Sequence, residues 1–286
     1  PINEGAYLRT VQMAWKPKSA VCFVLRHAGG KPAFVDRFGE PAIDRLMVML
    51  TEFMRGKRAV GHFLVADMEW FVHEGLDLRE AFDVPLRAAE NGDPAWLRCQ
   101  NGEGGFDTAM ACHAIEETAL LGLEALTLRY TTAPRYDAAL EEWKTEYCKE
   151  RKIKKAALEG YGDCPDSVLI SYACYDADVT LRIAYELMEL LDSDYFGQNA
   201  WEAFWESMII QPVILEIHQT GILVDRSRLD YLTDKFIAAG ARLEAEVREA
   251  TNWGDQPKQR FNIRSVQHVK EYLFGEALNG KVGTTG

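Results

Sequence analysis

The sequence predicts an α/β domain followed by a mostly α-helical segment, and three patterns carry that prediction. Two β-rich runs, Leu8 to Trp15 and Ala20 to Arg26, flank Lys16-Pro17-Lys18-Ser19, which reads as a hairpin turn. An apolar run at Ala59 to Leu64 lies between two stretches of helical spacing, so strand and helix alternate. From Pro165 onward, long apolar stretches at helical spacing follow one another with few strand signals.

Each element has a local reason. Pro41 opens a helix whose apolar residues Ile43, Leu46, Met47, Leu50, Phe53 and Met54 stand three and four apart, and Gly56 ends it. Asp67 to His73 is expected as a helical turn after the Ala59 to Leu64 strand. Arg87 to Gly105 contains Asn91-Gly92-Asp93-Pro94 and Asn101-Gly102-Glu103-Gly104-Gly105, and is expected to be a loop. Phe106-Asp107-Thr108 leads into a helix, and a second helix covers Leu123 to Tyr130. Tyr136 to Lys155 places its acids first and Lys149, Arg151, Lys152, Lys154 and Lys155 last, matching a solvated helix to its dipole. That charge run is expected to be a wet face rather than a DNA-backbone patch.

The stretch Pro165 to Leu191 is apolar nearly all round, including Val168, Leu169, Tyr172, Val179, Ile183 and Leu187, so it is expected to be a buried helix. Asp192-Ser193-Asp194 through Gly197 is the expected boundary, dividing 1–194 from 195–286. Beyond it, Trp201, Phe204, Trp205, Met208 and Ile209 form an apolar face, expected as core rather than a base-stacking platform. Pro212 should kink that helix or join two, and Gly221 ends it. Ile222 to Asp225 is extended and Ser227 to Ala250 helical. There is no internal repeat.

Composition narrows the classes of function. The chain has 286 residues, and 32 basic against 44 acidic side chains give a net charge of −12. Such an acidic balance argues against nonspecific DNA coating, which depends on Lys and Arg, but not against an enzyme that grips a few nucleotides through metal ions. No run of about eighteen apolar residues occurs, and Pro1-Ile2-Asn3-Glu4-Gly5 does not resemble a signal peptide, so a soluble cytoplasmic protein with no membrane partner is expected. The cysteines lack any C-x-x-C pair, and His62, His73 and His113 form no zinc motif. Phosphate-binding loops, dinucleotide-binding turns and serine elbows are also missing.

Two carboxylates stand out. Tyr172 and Asp176 are four apart on one face of an otherwise apolar helix, and a carboxylate there needs a base, a cap or a metal ion. Asp67 follows an apolar strand and heads a helix. Taken alone, Asp67 reads as an N-cap and Asp176 as a partner of Arg182. Brought together, they would repel unless a divalent cation such as Mg²⁺ or Mn²⁺ lay between them.

Val60-Gly61-His62-Phe63-Leu64-Val65-Ala66-Asp67, then Phe106-Asp107-Thr108, then Tyr172-Ala173-Cys174-Tyr175-Asp176-Ala177-Asp178-Val179-Thr180-Leu181 occur in that order. This order resembles the 3′-5′ exonuclease domain of family A, polymerase I-like DNA polymerases, found in bacteria and phages. Gln211-Pro212-Val213-Ile214, Gly221-Ile222-Leu223-Val224-Asp225 and Phe261-Asn262-Ile263-Arg264-Ser265 with Tyr272-Leu273-Phe274 resemble the start of that family's polymerase domain.

The resemblance implies a ribonuclease H-like three-layer domain over 1–194 with a mixed sheet lacking its first strand, and an incomplete polymerase domain over 195–286. It implies proofreading: removal of 3′-terminal nucleotides from single-stranded DNA or a frayed primer terminus. Asp67 and Asp176 would be metal ligands, Tyr172 would orient the attacking water, and His62 and Phe63 would contact the substrate. Two Mg²⁺ or Mn²⁺ ions would stabilise the attacking and leaving oxygens. The rest of the polymerase chain would be a partner, and a bacterial nucleoid or phage-infected cell the location.

The chain departs from the family's pattern in carrying Phe63 where Asn is usual and Ala66 where an aromatic is usual. The family's first motif, an Asp-x-Glu, would lie just before Pro1, so residues 1–286 alone are expected to be weak or inactive as an exonuclease; they stop at Gly286, before the family's nucleotide-binding helix and palm carboxylates, so they are not expected to polymerise. Asp67-Met68-Glu69 is a lesser candidate for that motif. The rival readings are a non-catalytic domain supporting the polymerase and a stand-alone exoribonuclease of the same fold.

Overall fold

Strand β1 (Thr10–Lys16) and strand β2 (Ser19–Val24) pair antiparallel, with Thr10 opposite Val24 and Met13 opposite Val21. Lys18 takes a left-handed φ of 63° in the expected turn. The computed structural model describes residues 2, 5–33, 41–76, 78–158, 160–193, 200–251 and 264–274. Pro1, Asn3 and Glu4, the expected boundary from Asp194 to Gly197, and Phe261-Asn262-Ile263 lie outside the described residues.

Helix α1 (Pro41–Met54) ends at Gly56, whose φ is 67°. Strand β3 is only Val60–Gly61, shorter than the apolar run suggested, because Phe63 turns left-handed and the chain enters helix α2 (Leu64–His73). The helix therefore starts three residues before Asp67. Strand β4 (Phe106–Asp107) runs parallel to β3, with Val60 opposite Phe106 and Gly61 opposite Asp107. Between them lie two short helices, α3 (Arg79–Phe82) and α4 (Ala95–Gln100). The second falls inside the expected loop 87–105, and its fully buried Cys99 explains why that segment is held against the core.

Helices α5 (Thr108–Ile115), α6 (Leu123–Tyr130), α7 (Ala138–Arg151) and α8 (Asp166–Leu191) follow. Helix α8 packs on β1, β2, β3, α5 and α6, which is why it is apolar nearly all round and buries Leu169, Ala173, Val179, Ile183 and Leu187. The first part of the chain is thus mixed α/β, mostly helical with little sheet. Among the described residues the strands form two separate ladders rather than one mixed sheet. One ladder is antiparallel and the other parallel, and both lie against α8.

Helices α9 (Ala200–Ile209) and α10 (Gln211–Thr220) meet at Ile210, with Pro212 in the first turn of the second, where its missing N–H costs nothing. The compact unit continues past residue 194 to Gly221, and a second unit covers Ile222–Gly286. Packing explains the difference from the boundary expected at 194: Trp201, Phe204 and Met208 are buried, and the Phe204 ring lies 4.8 Å from Phe106. Those aromatics are core, as their spacing suggested.

In the second unit, α11 (Arg226–Thr251) starts after Ile222 to Asp225, which belong to no helix or strand, and the Asp225 carboxylate accepts the Arg228 N–H at 2.9 Å. Helix α12 (Val266–Phe274) follows. All six cysteines are free. No described helix is long and apolar enough to cross a membrane.

Candidate functional site

Asp107 ends β4 and is fully buried, yet its carboxylate is saturated with backbone donors. It caps its own helix, accepting the N–H groups of Ala109 at 2.8 Å and Met110 at 3.3 Å. It also accepts those of Phe63 at 3.2 Å and Leu64 at 2.7 Å, the start of α2. One carboxylate thus satisfies orphan donors of two helices. The N-cap role considered for Asp67 belongs to Asp107.

Asp67 instead sits one turn into α2, and its carboxylate leans toward the end of β3. A Cβ added to Gly61 would lie 3.6 Å from Asp67 Oδ2 and 2.1 Å from a Leu64 methyl, so only glycine fits there. The Asp67 side chain stays open to solvent while protein surrounds it on most sides. That crowding, with the neighbouring Asp107 charge, pushes its pKa up to about 7. It is a solvent-accessible carboxyl beside a second acid.

His62 is half-buried, and its Nδ1 lies 2.8 Å from the Thr108 hydroxyl, which itself donates to the Gly61 carbonyl. Burial lowers the imidazole pKa to about 4, so the ring is neutral near pH 7. His62 is committed to joining β3 to α5. Phe63 holds a φ of 54°, costly for a residue with a large side chain, and 43% of its surface is exposed beside Asp67's helix. Its ring meets His62 edge-on at 4.8 Å. Of the two residues expected to contact substrate, Phe63 presents the open face.

Tyr172 and Asp176 share one face of α8, as their spacing requires. A hydroxyl reaches the Asp176 carboxylate from outside the helix: Tyr136 donates to Oδ1 at 2.8 Å. Burial raises the Asp176 pKa to about 6, against the lowering effect of the two tyrosines and of Lys144. Arg182 pairs with buried Asp178, not with Asp176. Asp178 also accepts the Lys18 N–H, fixing the hairpin turn to α8.

The structure therefore forms two groupings: Asp67 with Asp107, and Asp176 with Tyr172 and Tyr136. Both lie on elements packed against β3, the first at its end and the second on α8. Among the described residues no group of three His, Cys, Asp or Glu side chains is placed to hold a metal ion. Two hard carboxylates suit one Mg²⁺-like cation whose remaining positions go to water and substrate oxygens. Asp107, in Phe106-Asp107-Thr108, is a residue of this site that the sequence expectations did not include; its strand-to-helix position was its signal. Tyr136 carried no signal, since neither periodicity nor spacing relates it to Asp176.

No protein-family model matches the chain. The chain is 27% identical over 191 residues, 63% of its length, to a protein named DNA polymerase from Escherichia phage T5. It is 32% identical over 115 residues, 40% of its length, to DNA polymerase I of Rhizobium leguminosarum. It spans 22% of the phage protein and 10% of the bacterial one. Over part of its length, this chain is similar to DNA polymerases of a phage and a bacterium.

Proposed function

We propose that residues 1–221 act as the 3′-5′ proofreading exonuclease portion of a family A DNA polymerase, and that the chain from Ile222 begins its polymerase portion. The observation that carries this reading is the setting of Asp176. It is half-buried on an apolar helix, one oxygen accepts the Tyr136 hydroxyl, Tyr172 stands one turn away on the same face, and the nearby arginine is taken by Asp178. Such a carboxylate keeps lone pairs free for a cation.

The donor set fits a divalent metal. Crowding by protein first, and then the neighbouring Asp107 charge, raise the Asp67 pKa, and oxygen donors favour Mg²⁺ or Mn²⁺. Asp67 and Asp176 would hold it. A bound ion supplies positive charge that offsets the phosphodiester and the oxygens exchanged on it. The chain's residues then position the reactants. Tyr172 would orient the attacking water through its hydroxyl, and Phe63 would offer an exposed ring to the terminal base. Hydrolysis joins the water oxygen to the terminal phosphorus and releases the 3′ oxygen of the preceding nucleotide.

A mismatched end unpairs at lower cost, so it reaches a single-strand site more often. The test is Mg²⁺-dependent digestion of 5′-labelled single-stranded DNA by the polypeptide as its gene encodes it. Asp67→Ala and Asp176→Ala should each slow digestion at least about tenfold. Digestion unaffected by either substitution contradicts the site. No digestion, with no Mn²⁺ bound in a paramagnetic resonance titration, favours a non-catalytic support for the polymerase.

A further inference from the structure

We propose that Tyr136 is a positioning residue for Asp176, fixing the carboxylate that the proposed exonuclease reading makes a metal ligand. Tyr136 lies in the connection between α6 and α7, forty residues from Asp176 in sequence. Its hydroxyl donates to Asp176 Oδ1 at 2.8 Å. The ring is held on the same face of α8 that carries Asp176. It stacks on Tyr175 at 5.1 Å with planes 11° apart, and lies 5.8 Å from Tyr172.

Three consecutive contact points on one helical face, Tyr172, Tyr175 and Asp176, thus receive one side chain from another segment. The stack leaves the phenol little freedom, so its O–H is aimed rather than merely near. A carboxylate oxygen tied by a charged hydrogen bond directs the remaining lone pairs of the group outward, and the bond forbids the rotamers that would turn it away. Helix geometry alone allows Asp176 several rotamers; Tyr136 selects among them.

Tyr136→Phe removes the hydroxyl and keeps the stack, so the fold should stay and the unfolding midpoint should drop only by what one hydrogen bond contributes. In a Mn²⁺ titration by paramagnetic resonance, its dissociation constant should rise about tenfold, the usual scale for losing a hydrogen bond to a charged group. On single-stranded DNA, kcat should fall with KM for DNA unchanged, whereas a merely structural tyrosine would lower the melting temperature and leave the Mn²⁺ dissociation constant and kcat unchanged. Tyr136→Leu, which also loses the stack, should match or exceed the Phe variant in Mn²⁺ affinity loss.

Tyr136→Phe binding Mn²⁺ and turning over like wild type overturns the inference. Asp176→Asn separates the two levels. If it abolishes Mn²⁺ binding while Tyr136→Phe does not weaken it, the inference alone fails. If Asp176→Asn binds Mn²⁺ as wild type does, the metal reading fails and the inference falls with it.

Discussion

Asp67 ordinarily would ionise near 3.8, but crowding and Asp107 hold its proton on to about pH 7. A carboxyl whose folded pKa is raised favours folding at low pH, and that contribution is lost as pH rises from about 4 to about 7. Asp67→Asn removes this titration. With EDTA present, the variant should match wild type near pH 4 and exceed it at pH 8. The gain is about 1 kcal/mol once solvent screening of an exposed group is allowed for. Thermal unfolding at both pH values checks this, and a variant less stable than wild type at pH 8 contradicts it. Adding Mn²⁺ at pH 8 should reverse the order, because a ligand that binds only the folded wild type stabilises it by mass action.

At the scale of elements, the setting of Asp67 depends on how two helices begin. Asp107 closes the first turns of α2 and α5 with four backbone hydrogen bonds. Asp107→Ala should therefore cost about 3 kcal/mol, more than a single lost cap, and unfolding in urea measures it. A cost below about 1 kcal/mol would mean that the two helices start without it. Gly61 is the other constraint. Gly61→Ala drives a methyl into Leu64 and should cost about 2 kcal/mol by overpacking, read from the same urea curves. An alanine variant as stable as wild type would show that α2 can shift aside.

Most of these elements were legible because they obey a period. Apolar residues three and four apart announced α1, α8 and α9, and Lys16-Pro17-Lys18-Ser19 announced the hairpin. Helix α4 was hidden, since Ala95–Gln100 is under two turns long and lies between two clusters of turn residues. Strand β3 was overestimated because apolar residues continue from the strand straight into α2, and hydrophobicity does not mark the left-handed turn at Phe63. In the candidate site, Tyr172 and Asp176 were visible by helical spacing. Tyr136 was not, because its approach to Asp176 depends on the path of a connection, which leaves no periodic trace.

Across the first compact unit, the hairpin is tied to α8 at both of its ends. Buried Arg9 donates to the Tyr161 and Cys164 carbonyls, both at 2.7 Å, and pairs with Asp166 at the start of α8. The turn is tied through the Lys18 N–H to Asp178, three helical turns on. These ties set the line of α8 under both ladders, and hence where Asp176 sits relative to β3. Arg9→Met keeps apolar bulk but strands those carbonyls and Asp166, and should cost about 3 kcal/mol. Calorimetry checks it, and a variant as stable as wild type would show that apolar packing alone orients α8.

The relation between the two groupings of acids is best tested by diffraction from Mn²⁺-soaked crystals, where the anomalous signal locates the ion without reference to activity. The expected result is a peak coordinated by oxygens of both Asp67 and Asp176, with Tyr136 still bonded to Asp176. A peak held by Asp67 and Asp107 alone, or none at either acid in the polypeptide as its gene encodes it, would contradict a shared metal centre.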